Sequence, residues 1–322
     1  MSDTFPRLLG DVGGTNARLG WQTSLDSGVQ HVQVLPCADF PTLEVAIQTY
    51  LKHQKLPAPR ACAIGIANPI TGDTVRMTNH HWTFSISEMA RNLGVSKLNV
   101  INDFTALALA IPSISQDQLI QIGGKHASGL GPKAIIGAGT GLGVSGLFPV
   151  KAGLDQWVAI AGEGGHATLA AQTETEYRVI ELIRQRYGHV SAERVLSGQG
   201  LVDLHLALRQ LQGHAPMEVT SAADITHWAL VNKEPLALQS LEMFAGFLGS
   251  VAGDLALTLG ALGGVYLGGG VVPRWLGWFE SSVFRERFEA KGRFREYLQD
   301  IPVYVINAAE SPALLGASRS LN

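Results

Sequence analysis

The sequence predicts a two-domain α/β protein, and three observations lead there. Its 322 residues exceed what one domain needs at about 150 residues each. Candidate strands and helices alternate along the chain, the order that builds layered α/β architecture. Two stretches, 8–21 and 133–148, open alike with strand, glycine turn and strand. No sequence repeat accompanies that symmetry, so it is one of pattern only.

The elements follow from period and punctuation. In the first set the strands are expected at Leu8 to Val12, Ala17 to Trp21, Val29 to Leu35, Ala61 to Ile66 and Leu98 to Ile101. Helices are expected from Thr42 to His53, directly after Pro41, and from Ser87 to Asn92. The second set begins with strands Lys133 to Gly137, Gly143 to Phe148 and Trp157 to Ala161. Helices follow from about Thr173 to Tyr187, Gly200 to Gln212 and Pro235 to Leu259. The last carries Leu241, Phe244, Leu248, Val251 and Leu255 at helical spacing, and its Gly246, Gly249 and Gly253 would let another element approach closely.

Leu255 to Val272 is 18 residues without a charge, the length at which a membrane span becomes a candidate. Its glycines, with Pro273 and Arg274 directly after, favour a helix end, a stop at Gly263-Gly264 and a short buried strand Val265 to Leu267. No membrane span is expected. Nor does MSDTFPRLLG carry the apolar core of a signal peptide.

Composition excludes several function classes. Apolar content of 46% with 16% charge describes a folded chain, and a net charge of −3 gives no basic field for nucleic acid or an anionic membrane. The basic cluster Arg285, Arg287, Lys291, Arg293 and Arg295 is interrupted by Glu286, Glu289 and Glu296, as on a solvated helix face. Cys37 and Cys62 cannot by themselves build a zinc site or a disulfide framework, which fits a reduced cytoplasmic setting.

Three glycine-rich strand ends carry the candidate chemistry. LLGDVGGTNARLGW, residues 8–21, reads either as a tight hairpin or as a phosphate loop whose Asp11 holds a hard cation. IIGAGTGLGVSGL, residues 135–147, has no frame matching G-x-G-x-x-G, and the only Gly-Lys pair, Gly124-Lys125, is not a Walker A loop. The third is LGGG, residues 267–270. Three such ends exceed what turn-making alone requires.

Three polar interruptions stand beside them. INDFTALALAIP, residues 101–112, passes from strand through Asn102-Asp103 into a small apolar helix, an ordinary cap arrangement or a catalytic acid. AGEGGHATLA, residues 161–170, sets Glu163 and His166 on a glycine turn, where a histidine can equally be structural. SAERVLSGQGL, residues 191–201, puts Glu193 in what also reads as an ordinary acidic first turn.

Asp11 in the first hairpin, Thr140 in the second and the triple glycine in the third together resemble the actin-like ATPase and sugar kinase superfamily. The fold this implies is a two-domain actin-like ATPase (ribonuclease H-like) fold with an interdomain cleft. GDVGGTNARL, ANPITGD, MTNHHW, INDFTALALAIP, GAGTGLGV, GEGGH, GHVSAERVLSG, LGGGVVPR, KGRF and DIPVY stand in the order and rough spacing of the bacterial glucokinase family, from residue 10 to 304. The resemblance implies ATP-dependent phosphorylation of D-glucose to glucose 6-phosphate. ATP would lie against Gly10, Asp11, Val12, Gly13, Gly14, Thr15, Gly139, Thr140, Gly268, Gly269 and Gly270, with Mg²⁺ at Asp11. Asp103 would be the general base, and Asn102, Asp103, Glu163, His166 and Glu193 would bind sugar hydroxyls. After His166, Ala167-Thr168-Leu169 departs from the family's Val-Asp-Phe without removing a ligand.

Phosphoryl transfer suits these groups: it needs in-line positioning, charge neutralisation and a carboxylate to take the hydroxyl proton. Carboxylates, an amide and an imidazole match hydroxyls that both donate and accept. Closure of the cleft on sugar binding would exclude water as the competing acceptor. The alternatives are a kinase for another hexose or an amino sugar, and a sugar-responsive regulator on the same fold. The regulator is disfavoured because the first hairpin begins by residue 8 with no helix-turn-helix before it, and two distant cysteines cannot form the zinc motif of the neighbouring repressor and kinase family. The expected division is a small domain of 1–112 plus 303–322, whose short helix Ala313 to Ser318 can return across the cleft, and a large domain of 113–302. The resemblance also implies a homodimer.

Overall fold

Hairpin residues 7–22 set the frame of the first sheet. In the computed structural model, which describes residues 4–125, 131–150, 156–217, 221–308 and 311–322, β1 (Arg7–Val12) runs into antiparallel β2 (Asn16–Gln22) through a turn closed by Gly13 N–H donating to Asn16 O at 2.9 Å. β3 (Gln30–Pro36) continues the meander, and Thr42 then caps α1 (Leu43–His53) by accepting from the Val45 amide. β4 (Ala61–Ile66) returns parallel to β1. A small separate ladder of β5 (Thr74–Arg76) and β6 (Thr83–Ser85) precedes α2 (Ile86–Leu93), whose cap is Ser85 and whose stop is left-handed Gly94. β7 (Lys97–Asn102) lies parallel to β4 and passes straight into α3 (Asp103–Ala110). The sheet order is β3-β2-β1-β4-β7.

Because side chains alternate along a strand, Leu8 and Leu9 enter different cores. Leu8 joins Ile47, Tyr50, Ile64 and Trp82 on the face covered by α1, whereas Leu9 joins Ala63, Ala106, Leu314 and Ala317 on the face covered by α3 and the helix Ala313–Arg319. Buried Arg7 pins that last helix, donating to the carbonyl and hydroxyl of Ser318, each at 2.9 Å. Gly316 lies so tightly on the Ala106 carbonyl of α3 that a methyl group there would overlap it. Ala in place of Gly inside a helix ordinarily adds about 0.5–1 kcal/mol; here overpacking wins, and Gly316→Ala should cost about 1–3 kcal/mol in a denaturant titration.

The second unit holds β8 (Leu119–Gln121), β9 (Lys133–Ala138), β10 (Leu142–Pro149), β12 (Val265–Gly268) and β13 (Val303–Ile306), in the order β10-β9-β12-β13-β8; β11 (Trp157–Gly162) spans a boundary between the units. The helices are α4 (Glu174–Tyr187), α5 (Ala192–Val195), α6 (Gly198–Leu211), α7 (Ala222–Leu230) and α8 (Pro235–Leu259), followed by shorter ones. α4 starts at a capping box between Thr173 and Glu176. α8 runs over Pro235–Leu259 as expected from sequence, and left-handed Gly260 caps it ahead of Gly263-Gly264. It is long and apolar enough to cross a membrane by length and composition, but Leu241, Phe244, Phe247 and Leu248 are buried in the core of this unit. Its Gly249 and Gly253 lie against the Phe284 and Phe288 carbonyls of the helix Phe284–Glu289, a packing role.

The chain divides into Met1–Ser115, Asp155–Ala161 and Ala308–Asn322 in one unit, and Gln116–Leu154 and Gly162–Asn307 in the other. The sequence-based division, 1–112 plus 303–322 against 113–302, differs at two strands: most of β11 (Trp157–Gly162) groups with the first unit, and the strand at 303 groups with the second. Val303–Ile306 pairs in parallel with β12 and antiparallel with β8, so it belongs to the second sheet and the chain rejoins the first unit at Ala308.

Candidate active site

In the first unit the candidate residues collect at the carboxyl ends of parallel strands, where open α/β sheets place their ligands. Asp11 stands opposite Gly65 of β4, which stands opposite Ile101 of β7, so Asp11 and Asn102-Asp103 share one sheet edge two strand spacings, about 10 Å, apart. Gly65 makes room between them, since a methyl there would sit 3.0 Å from Ala106 Cβ and 3.6 Å from Asp103 Cα.

Asn102 is the cap of α3: its side-chain oxygen accepts from the amides of Phe104 and Thr105 at 2.9 and 3.2 Å, which turns its NH₂ group away from the helix terminus. Asp103 is half-buried and its Oδ1 accepts from Phe104 N–H at 2.9 Å. The cap and the candidate base are thus adjacent residues on one rigid strand-to-helix junction.

Asp11 accepts from Arg18 Nη1 at 2.9 Å through Oδ2. The two face each other across the β1–β2 ladder. The motifs do not single out Arg18, although both residues are equidistant from the turn centre and counting along the hairpin pairs them. The tip around Gly13 and Gly14 is held from two sides: Cys37 Sγ donates to Gly13 O at 3.5 Å, and a methyl on Gly14 would meet Asn79 Cβ at 2.9 Å. Burial raises both thiols, Cys62 to about 12, so neither supplies a thiolate at neutral pH.

A single carboxylate at a glycine hairpin, here with Arg18 on its Oδ2, fits Mg²⁺ as nucleotide sites hold it, by one or two carboxylates with the phosphates completing the shell. Among the described residues no group of three or more His, Cys, Asp or Glu could hold a metal without such phosphates.

In the second unit two glycine segments lie side by side. β9 ends at Ala138 and β12 at Gly268, paired in parallel with Gly137 opposite Gly268. Gly137 lies against the Gly268 carbonyl and Gly269 against Ala138 O, each too tightly for a side chain, and Gly269 is left-handed. Val271 N–H then donates to Ala138 O at 3.2 Å. Gly139, Thr140 and Gly268 to Gly270 are therefore neighbours, with Thr140, Gly269 and Gly270 exposed.

Glu163 precedes the 3₁₀ turn Gly164–His166 without capping it. Gly165 packs on the Leu142 carbonyl and Gly164 within 2.9 Å of Val144 Cγ1 for an added methyl, so the turn lies directly on the start of β10. The departing residues Ala167 to Leu169 tie this turn to α5: Ala192 N–H donates to Ala167 O at 2.9 Å and Leu169 N–H to Val190 O at 3.0 Å. Thr168 Oγ1 lies 3.0 Å from His189 Nε2. The result brings His166 Nδ1 to 3.9 Å from Glu193 Oε1, with the imidazole exposed and the carboxylate one-third exposed. The other oxygen, Oε2, accepts from Leu142 N–H at 2.9 Å.

Comparisons with known proteins agree over nearly the whole chain. The family model described as Glucokinase matches residues 8–322. A glucokinase of Aromatoleum aromaticum is 52% identical over 322 residues, covering 100% of this chain and 96% of that one. A glucokinase of Neisseria meningitidis serogroup C is 48% identical over 318 residues, covering 99% and 95%. Among solved structures, a glucokinase from an Antarctic psychrotroph superposes with a TM-score of 0.88 at 34% identity, covering 98% of each chain. A Balamuthia mandrillaris glucokinase in complex with glucose superposes at 0.78 with 20% identity over 100% and 96%, a likeness of fold. With an actin-like ATPase fold and a full-length family match, this chain belongs to the glucokinase family.

Proposed function

We propose that the chain transfers the γ-phosphoryl of ATP to the 6-hydroxyl of D-glucose, with Asp103 as general base. The observation that carries this reading is the meeting of a hydroxyl-binding cluster, His166 and Glu193 at 3.9 Å, with the glycine hairpin 139–142 in a chain of the glucokinase family.

Asn102 through its NH₂ group, His166 through its ring, and Glu163 and Glu193 through their carboxylates bind the sugar hydroxyls, which donate to the acids and accept from the amide. Asp103 accepts the proton of the hydroxyl that attacks phosphorus, and the Phe104 amide on its Oδ1 fixes the carboxylate plane. Backbone amides at Gly14, Thr15, Thr140, Gly269 and Gly270 receive the phosphates and adenosine, while the Gly13 and Gly139 amides close their own turns on Asn16 O and Gly141 O. Asp11 is the residue that would hold Mg²⁺, and bound Mg²⁺ supplies neutralisation of the phosphate charge. A cytoplasmic setting and a homodimer belong to the same proposal, the latter open to sizing by sedimentation.

Coupled ADP release with Mg-ATP tests the reaction, comparing D-glucose, mannose, fructose, N-acetylglucosamine and no sugar. A site that pairs each hydroxyl can reject an analogue lacking a partner by up to roughly 10⁴-fold. Strong glucose-dependent turnover over a small sugar-free background is expected. Turnover on another sugar alone would reassign the acceptor, and glucose binding without turnover would point to a regulator.

A further inference from the structure

One short segment touches the second hairpin at both ends of its tip. From α5, Glu193 Oε2 accepts the Leu142 amide at 2.9 Å. From the first residue of α6, Gly198 N–H donates to Gly139 O at 2.9 Å, and within the tip Gly139 N–H donates to Gly141 O at 2.8 Å. The carboxylate of Glu193 lies over Gly141 so closely that a methyl at 141 would overlap Oε2. Glu193 is 51 residues from Leu142 in sequence, so this contact is a tertiary brace and owes nothing to the hairpin's own ladder. Its second oxygen, Oε1, faces His166.

We infer that Glu193 is a positioning residue for the phosphate hairpin: Oε2 fixes the Leu142 amide and the tip 139–141, while Oε1 meets the sugar, so one carboxylate couples the two substrates. The inference rests on the reading of this hairpin as a phosphate site and of Glu193 as a sugar ligand. A carboxylate is rigid and planar, so a hydroxyl arriving at Oε1 moves or stiffens Oε2 and the amide bound to it. Each substrate must then change the other's affinity by the same factor.

The test uses Glu193→Ala, Glu193→Gln and Gly141→Ala in the full chain, with Mg-ADP and glucose as separate calorimetric probes. Glu193→Ala strands the Leu142 amide and should weaken Mg-ADP binding without sugar by roughly 10-fold or more, the fold-change of losing one hydrogen bond to a charged group. Glu193→Gln keeps an oxygen for that amide, so Mg-ADP affinity should stay within about two-fold while glucose affinity falls. Gly141→Ala touches no sugar, yet displaces the carboxylate and should weaken both ligands. Hydrogen exchange at the Leu142 amide reads the brace without any nucleotide: protected in the parent and Glu193→Gln, at least roughly tenfold faster in Glu193→Ala.

Equal exchange and equal Mg-ADP affinity in Glu193→Ala and the parent overturn the brace, even if both Glu193 variants lose glucose; that result leaves the sugar assignment standing. Normal glucose affinity in both, with nucleotide affinity lost in Glu193→Ala alone, upholds the brace and overturns the sugar role. Equal nucleotide loss in Glu193→Gln and Glu193→Ala assigns the effect to charge and overturns the brace. Should Glu193→Ala not fold, unchanged affinities in Gly141→Ala overturn it.

Discussion

Asp103→Asn should lower turnover by about 10² to 10⁴, the contribution of a general base, while glucose still binds. The substitution is nearly isosteric and its side-chain oxygen can still accept the Phe104 amide now bonded to Oδ1 at 2.9 Å. The α3 junction and the Asn102 cap then persist, and only the capacity to take a proton is lost. Coupled ADP release and glucose calorimetry on the same preparation separate the two effects. Near-normal turnover would remove Asp103 from the base role, and lost glucose binding would show that it holds the sugar as well.

Arg287→Ala should destabilise the second unit more than any surface substitution. Against the solvated face expected from sequence, Arg285, Arg287 and Lys291 are largely buried; Arg287 Nη1 and Nη2 meet Glu176 Oε1 and Oε2 at 2.5 and 3.2 Å, and Nη2 also donates to Ser250 Oγ at 3.0 Å. The Glu176 side chain is only 4% exposed, and its Oε2 further accepts the Gln172 amide at 2.7 Å. Removing the guanidinium leaves a buried carboxylate without its counter-charge, a loss of about 3–5 kcal/mol. In a unit of this size that is a fall of roughly 10 °C in unfolding midpoint, read by calorimetry. A shift below about 2 °C would mean that water or another cation replaces Arg287 at little cost.

Much of this fold is legible in local chemistry. Thr42 and Thr173 announce their helices because a side-chain oxygen at that position satisfies an orphan amide, and both do so. The two glycine hairpins and strands such as Ala61–Ile66 follow from period and turn residues over a few positions. What the letters hide depends on distant partners. β8 and β13 are three and four residues long and exist through pairing with strands far along the chain, so nothing in their own residues places them in one sheet. α7 and the short helices Phe284–Glu289 and Arg295–Asp300 are shaped by packing on α8. In the site, Asn102-Asp103 and GEGGH are readable as motifs. The Leu142 amide on Glu193 is not, because it joins two segments whose approach is set by the whole helical layer.

The pinning of Ala313–Arg319 against β1 bears on the order in which the nascent chain acquires structure. Leu9 and Ala63 leave the ribosome early, but Leu314 and Ala317, their core partners, are translated after the entire intervening unit. The part of the Leu9 face of the first sheet that α3 does not cover therefore waits for this helix, while β8, β9, β10, β12 and β13 of the second unit are already made. Vectorial synthesis usually favours the N-terminal domain. In this chain the topology works against that precedence, since the helix Ala313–Arg319, which seals the first strand, is translated after β13, the last strand of the second sheet.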